Sequence, residues 1–316
     1  MMTTSKAMDG SMSLPCVFIH TNPKQLLGAE VARYSLKRNS RTPDRFDVRI
    51  VSTNEFPFLQ DYEGREYLRE GRPTVWSNAD LQSFTPLRFA IPALMNFQGR
   101  AVVTDPDVFA VGDICALLDR DMSGSAILAR QMAADSRRPL HYASSVMLLD
   151  CAKLRHWDLE KDFGRLFAFE HDYRNWMWLL EEPADSVKPL EPVWNDFDHL
   201  TPETMLLHNT HRRTQPWKTG LAADFTVRGT TRRSRRSRWL HALKSKLTGG
   251  STSGYYRRHP DPAQESLFFG LLAECLEREI ISPQFLNEEI ANRHIREDAW
   301  ALVKANARSV QAQQAR

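Results

Sequence analysis

Two carboxylates stand one residue apart in Thr104-Asp105-Pro106-Asp107-Val108, directly after the apolar run Arg100-Ala101-Val102-Val103-Thr104. An apolar run of that length reads as a buried strand. The carboxyl end of a parallel strand is where α/β sheets bind their ligands. Paired hard oxygen donors at such a point suit Mg²⁺ or Mn²⁺. A divalent cation there would neutralise the charge that builds on a departing diphosphate. The same residues also suit a plain polar turn, and the triplet alone does not separate the two. A second polar cluster, His20-Thr21-Asn22, ends the first apolar run. Asn22 can both donate and accept, or it can serve a turn before a helix.

A different chemistry lies further along. From Arg228 to Lys246 there are eight Lys or Arg (Arg228, Arg232, Arg233, Arg235, Arg236, Arg238, Lys244 and Lys246) and no acid. Trp239, Leu240, Leu243 and Leu247 fall on one face of a helix. A basic helix with an apolar face suits an anionic membrane surface. Charge alone also suits nucleic acid, and a solvated linker remains open.

The elements that position these residues follow from periodicity. Cys16 to His20 reads as a strand, Leu26 to Arg38 as a helix and Phe46 to Val51 as a strand, which together make a βαβ unit and imply a parallel sheet. Further helices are expected over Pro86 to Met95, Asp113 to Leu118 and Arg165 to Leu180. Strands are expected over Arg100 to Thr104, Ser125 to Ala129, Ser145 to Leu149 and Thr204 to His208. This alternation makes an α/β sandwich with a mostly parallel sheet. Thr248 to Gly254 reads as a flexible linker, followed by helices over Pro262 to Ile280 and from Pro283 to the end. The expected organisation is a disordered N-terminus over 1–14, a catalytic α/β domain over 15–225, the basic segment and linker over 226–254, and a helical region over 255–316.

Composition narrows the class. The 316 residues are 42% hydrophobic with a net charge of +3, which argues against a globally basic nucleic-acid binder. Cys16, Cys115, Cys151 and Cys275 are scattered, with no Cys-x-x-Cys pair, and read as small buried side chains. No apolar stretch approaches the roughly 20 residues that span a bilayer, and Met1 to Pro15 lacks the apolar run of a signal peptide. The expectation is a soluble, cytoplasmic protein, with peripheral membrane attachment through 228–246.

Arg100 to Ile114 resembles the strand and Tyr-x-Asp-x-Asp motif of glycosyltransferase family 8, the glycogenin and bacterial lipopolysaccharide galactosyltransferase group, with Thr104 and Pro106 as variants. Arg88, in Phe84-Thr85-Pro86-Leu87-Arg88-Phe89, falls where the family has an Arg beside the nucleotide. Leu206 to Lys218 resembles the family's strand ending in His and followed by Lys-Pro-Trp. That match implies His208 as the third metal ligand, with His211 as the alternative. It also puts Gln215 where a Lys contacts phosphate, a charge that Lys218, or Arg212 and Arg213, could replace. Tyr142 to Leu149 resembles Phe-Asn-Ser-Gly-Val-x-Leu, which implies Ser144 near the donor and puts Ala143 in place of the Asn that touches the sugar. Glu170-His171-Asp172 resembles Asp-Gln-Asp, implying catalytic acidic groups near the sugar's reactive face. Pro192-Val193-Trp194-Asn195 is similar to a segment before the final strand. His20, Thr21 and Asn22 fall where the family grips uracil and ribose.

The resemblance covers about two thirds of the chain. It implies the GT-A (Rossmann-like) fold and a metal-dependent, retaining hexosyltransferase that uses Mn²⁺ or Mg²⁺ and a nucleotide-sugar donor, a UDP-sugar, with a glycan, lipid-linked or protein acceptor. The donor site it implies comprises His20, Thr21, Asn22, Arg88, Thr104, Asp105, Pro106, Ser144, Gln215 and Lys218. Asp105, Asp107 and His208 would hold the metal. Ala143 and Gln215 keep open a non-catalytic sugar-nucleotide binder, and the basic run keeps open a nucleic-acid-associated protein.

Overall fold

The computed structural model describes residues 14–136, 138–224 and 254–314. The basic run 228–246, the linker and the segment before residue 14 lie outside the described residues.

The first βαβ unit forms as its pattern dictates. Strand β1 (Cys16–Thr21), helix α1 (Leu26–Arg38) and strand β2 (Asp47–Ser52) follow one another, and β1 pairs in parallel with β2. On its other side β1 pairs in parallel with β5 (Arg100–Thr104), the strand that delivers Asp105. The sheet continues through β8 (His141–Asp150) and β7 (Ile127–Met132) to β9 (Val187–Leu190), in the order β2-β1-β5-β8-β7-β9. Only β8 runs against its neighbours, so the sheet is mostly parallel, as the α/β alternation implies.

Burial on both faces explains the near-continuous apolar runs. Val17, Ile19, Val102 and Leu148 point into one core cluster, whereas Cys16, Phe18, Ala101, Val103, Met147 and Leu149 point into the other. Adjacent residues thus serve opposite faces, the period-2 alternation of a pleated strand. All four cysteines are free and buried.

A small second sheet brings His208 to the site. β11 (Leu206–His208) lies between β10 (Asp196–Phe197) and β6 (Val108–Ala110). Its antiparallel register with β6 sets Leu206 against Ala110 and His208 against Val108. His208 therefore stands beside the residue that follows Asp107. A slip of one residue would turn its side chain to the other face.

Several helices differ from the sequence expectation. Arg165 to Leu180 is not one helix but the end of α4 (Leu159–Phe167) and the separate α5 (Tyr173–Met177). Phe169 closes α4 in the left-handed region (φ 59°) while the Glu170 amide bonds back to the Arg165 carbonyl, a Schellman stop that the aromatic periodicity hides. The helix expected from Pro283 to the end breaks the same way at Arg293 (φ 59°), giving Pro283–Ala291 and Ala299–Gln314. Pro86 to Met95 is mostly a 3₁₀ turn, Thr85–Ala90, followed by the short helix α2 (Ile91–Leu94), and Asp113 to Leu118 forms the single-turn helix α3 (Cys115–Leu118). A hairpin of β3 (Glu66–Arg69) and β4 (Arg72–Val75) carries no clear strand signal in the sequence.

The helix Pro262–Glu277 packs directly on α1. Glu274 accepts from Tyr34 Oη at 2.6 Å and takes both Nε (2.6 Å) and Nη2 (2.8 Å) of Arg38, a forked pair. Phe268 stacks on Trp217 with ring centroids 4.7 Å apart. The C-terminal helices and the first βαβ unit therefore share one core.

Candidate metal centre and its cleft

Two close approaches fix the Asp-Pro-Asp turn. The Asp105 amide donates to the Ser145 carbonyl of β8 at 3.0 Å, and the Asn209 amide donates to the Asp107 carbonyl at 3.0 Å. From below, α1 crowds the turn at Gly28. A Cβ there would lie 2.8 Å from the Pro106 carbonyl oxygen, so this point of the helix has room only for glycine unless the turn shifts.

Asp105, Asp107 and His208 converge at the ends of β5 and β11. Each is buried, and one ligand atom from each lies within 4.8 Å of the others. His208 Nε2 stands 3.2 Å from Asp107 Oδ1 and 3.9 Å from Asp105 Oδ2. The other ring nitrogen, Nδ1, lies 2.8 Å from the Asn195 side-chain oxygen. Asn195 is oriented in turn, because its Nδ2 donates to Ser145 Oγ at 3.0 Å and its carbonyl accepts from Arg130 at 2.6 Å. An amide oxygen accepts only, so Nδ1 carries the hydrogen, and when the ring is neutral Nε2 turns a lone pair toward Asp107. Asp107 Oδ1 is buried with no hydrogen-bond donor. Two acceptors facing each other at that distance call for a cation between them: a divalent metal, or a proton in its absence. Burial pushes His208 toward lower pKa, but Asp107 and Asp105 outweigh it and the net shift is upward. The donor set, two carboxylates and one imidazole with its outer nitrogen tied, therefore fits Mn²⁺ or Mg²⁺.

The rest of the turn is wired to hold Asp105 ionised. Arg88 Nη2 lies 2.7 Å from Asp105 Oδ1, and His20 Nε2 approaches the same oxygen at 2.8 Å. Burial pushes the Asp105 carboxyl up, yet Arg88 and His20 hold it down at about 2. His20 is itself shifted down by burial and so enters as a neutral donor. Arg88 also donates to Ser144 Oγ at 2.5 Å, and Ser144 passes its hydrogen to the Met177 carbonyl at 2.5 Å.

A polar cleft opens onto this centre, lined by Gln25, Leu81, Gln82, Phe84, Asp105, Asp107, His208, Thr210, Arg212 and Gln215. Of the residues expected to bind the donor, Asp105 and Gln215 line it, and Gln215 Nε2 donates to Asp107 Oδ2 at 3.0 Å. Arg88 does not line it but lies buried behind Asp105, with Ser144 behind Arg88. Asn22 donates to the Leu81 carbonyl (3.1 Å) and to Ser83 Oγ (3.0 Å), tying the cleft wall to the end of β1. Thr21, Thr104 and Pro106 are buried in the scaffold. Lys218 is 0% exposed, 2.9 Å from Asp224 and 5.6 Å from the centre of the Tyr256 ring, and does not line the cleft.

The three residues expected to be catalytic acids are placed otherwise. Glu170 pairs with Arg165, and Asp172 caps α5 through the Arg174 amide. His171 bridges Glu181 (2.9 Å) and the Asp162 carbonyl (2.9 Å). None of them lines the cleft. The break between α4 and α5 explains this, since one cap, one ion pair and one bridging histidine use their polar atoms locally. Conversely, Asn195 was visible in the sequence only as part of a Pro-Val-Trp-Asn segment, and Gln25, Gln82 and Thr210 gave no signal.

No protein-family model matches the sequence, and no curated protein matches it. Among solved structures, the chain is similar to the glycosyltransferase GlyE of Streptococcus pneumoniae TIGR4, at 15% identity and a TM-score of 0.46 over 86% of this chain. It spans 65% of GlyE, less than two thirds of that protein's length. It is similar to the galactosyltransferase LgtC, solved with donor and acceptor sugar analogs, at 14% identity and a TM-score of 0.41, covering 75% of this chain and 98% of that one. The bifunctional glycosyltransferase WbbM aligns at 13% identity and a TM-score of 0.41, over 68% of this chain and 48% of its own.

Proposed function

We propose that the protein is a metal-dependent glycosyltransferase of the GT-A, family-8-like type, which moves a hexose from a nucleotide-sugar donor, a UDP-sugar, to a glycan, lipid-linked or protein acceptor. One observation carries the reading. Asp107 Oδ1 and the lone pair of His208 Nε2 face each other across 3.2 Å in a buried site that opens onto a cleft. A divalent cation bound there would supply charge stabilisation to a departing nucleoside diphosphate. The chain's own residues do the rest. Arg88 and His20 keep Asp105 anionic and aimed, Asn195 fixes the His208 tautomer, and Gln215 steadies the second oxygen of Asp107. Attack from the face that the diphosphate leaves gives retention of the anomeric configuration. With Glu170, His171 and Asp172 occupied elsewhere, no protein carboxylate is assigned as base.

In this reading 15–225 is the catalytic unit and the helices of 255–316 brace it through the shared core. No described helix is long and apolar enough to cross a membrane. The sequence pattern of 228–246 supports peripheral attachment of a cytoplasmic enzyme to an anionic membrane, so deleting 228–254 is expected to abolish binding to anionic liposomes while the fold persists.

The direct test is donor hydrolysis. A panel of nucleotide sugars is incubated with the protein, with and without Mn²⁺, and free sugar is measured. Turnover that requires Mn²⁺ and disappears in Asp107→Ala is the expected result. A neutral Gln215 beside the metal site and Ala143 in β8 favour one rival, a sugar-nucleotide binder without turnover. It would show Mn²⁺-dependent donor binding and no free sugar.

A further inference from the structure

One side chain of the C-terminal helices reaches the backbone of the metal centre. The helix Pro262–Glu277 opens behind the N-cap Asp261, whose carboxylate accepts the Ala263 amide, and Gln264 follows in its first turn. Glutamine is mostly an exposed residue. Gln264 is 1% exposed and spends both arms of its amide. Its Oε1 accepts from Asn209 Nδ2 at 2.5 Å, and its Nε2 donates to the Asp198 carbonyl at 2.8 Å. Chemistry fixes this orientation. A backbone carbonyl only accepts, so the nitrogen of Gln264 must face Asp198, and Asn209 must then present its own nitrogen to Oε1.

Each arm ends one bond away from a metal-binding residue. The Asn209 amide donates to the Asp107 carbonyl at 3.0 Å, and the Asp198 amide donates to the His208 carbonyl at 2.9 Å. Asp198 also governs the segment that leaves β11. Its carboxylate accepts the His211 amide at 3.0 Å and the Thr210 hydroxyl, with His259 Nε2 at 3.7 Å. It does so from the left-handed region (φ 52°), a conformation that needs support in a residue with a side chain. The Gln264 bond to its carbonyl supplies part of that support.

We propose that Gln264 is a positioning residue for the metal centre, resting on the metal-binding reading above. Asp107 Oδ1 and His208 Nε2 stand 3.2 Å apart on different strands, and two atoms that close need outside bonds to keep their spacing for an incoming cation. Gln264 ties the residue that grips Asp107 to the residue that grips His208. The region 255–316 is thereby part of the site, and not only a brace for the core.

The test uses the full chain and Mn²⁺ alone, with affinity read from the free-ion electron paramagnetic resonance signal and the unfolding temperature measured beside it. Gln264→Met keeps the volume and loses both bonds; it should lower Mn²⁺ affinity roughly tenfold. Gln264→Glu, once ionised, keeps an acceptor for Asn209 but turns an oxygen on the Asp198 carbonyl. It should lose affinity too, and it serves if the methionine variant does not fold. The two amides act as one unit, so Asn209→Ala combined with Gln264→Met should cost no more than the larger single change. Glu274→Gln is the control for a merely structural role. It weakens the pairs with Tyr34 and Arg38 on the same helix, so it should lower the unfolding temperature and leave Mn²⁺ affinity at the wild-type value. Wild-type Mn²⁺ affinity in both Gln264 variants overturns the assignment and leaves the metal centre standing. So does an equal loss in Glu274→Gln, which would make the effect one of general bracing. Failure of the wild type to bind Mn²⁺ overturns both readings.

Discussion

Asp105-Pro106-Asp107 and Glu170-His171-Asp172 are built from similar residues, yet the fold uses them in opposite ways. In the second triplet every polar group answers to a neighbour. Glu170 meets Arg165, His171 lies between Glu181 and a carbonyl, and Asp172 caps a helix. In the first, Asp107 Oδ1 is buried without a donor and faces a histidine lone pair. Acidic residues mark a site when their hydrogen-bonding capacity is left unspent in a buried place, because an uncompensated anion there is costly unless a cation arrives. Residue type alone does not distinguish the two triplets.

The comparison can be broken most sharply at its two ends. Asp107→Ala or His208→Ala should reduce donor turnover to background with the fold intact, since both sit at strand ends; Glu170→Gln should leave turnover unchanged. Full turnover by Asp107→Ala would erase the distinction. Next in size is Asn195→Ala, which frees the His208 tautomer and should lower Mn²⁺ affinity about 10- to 100-fold; an unchanged affinity would show that the ring needs no such anchor. Arg88→Lys should follow. A point charge cannot reach Asp105 and Ser144 together, so Mn²⁺ affinity and donor use should fall in parallel. A loss of donor use alone would instead put Arg88 on the donor phosphates.

The smallest effects belong to the structural triplet. Asp172→Ala removes an N-cap, worth about 1 kcal/mol of stability, with Mn²⁺ binding untouched. His171 offers a pH signature. Burial lowers its pKa, but Glu181 and the Asp162 carbonyl more than compensate, and the net shift is upward. A raised folded-state pKa contributes stability fully present below the unfolded value of about 6.5. That contribution is lost as pH rises through the folded value. Denaturation midpoints of wild type should therefore decline relative to His171→Gln across that window, and parallel curves would contradict the assignment.

Much of the scaffold was legible in the sequence because its strands are buried on both faces. Cys16 to His20 and Arg100 to Thr104 are short apolar runs bounded by turn residues, the pattern of a central strand, and both become one. The Asp105–Asp107 pair could be read for the same reason, as the first polar residues after such a strand. What stayed hidden depends on partners distant in sequence or on stops without glycine. Phe169 and Arg293 end helices in the left-handed region, which no local rule for these residue types anticipates. Arg88 matched a family position, yet only the packed structure shows that Asp105 and Ser144 occupy it. Lys218, Arg212 and Arg213 are equal in sequence, but Lys218 is buried and of the three only Arg212 lines the cleft.

The most direct measurement of the central claim is a titration of Mn²⁺ into the metal-free full chain, followed by the loss of the free-ion electron paramagnetic resonance signal. The account predicts one saturable site in wild type and in Asp172→Ala, and none in Asp107→Ala or His208→Ala. Retention of that site in His208→Ala and Asp107→Ala, or no saturable binding in wild type, would contradict it.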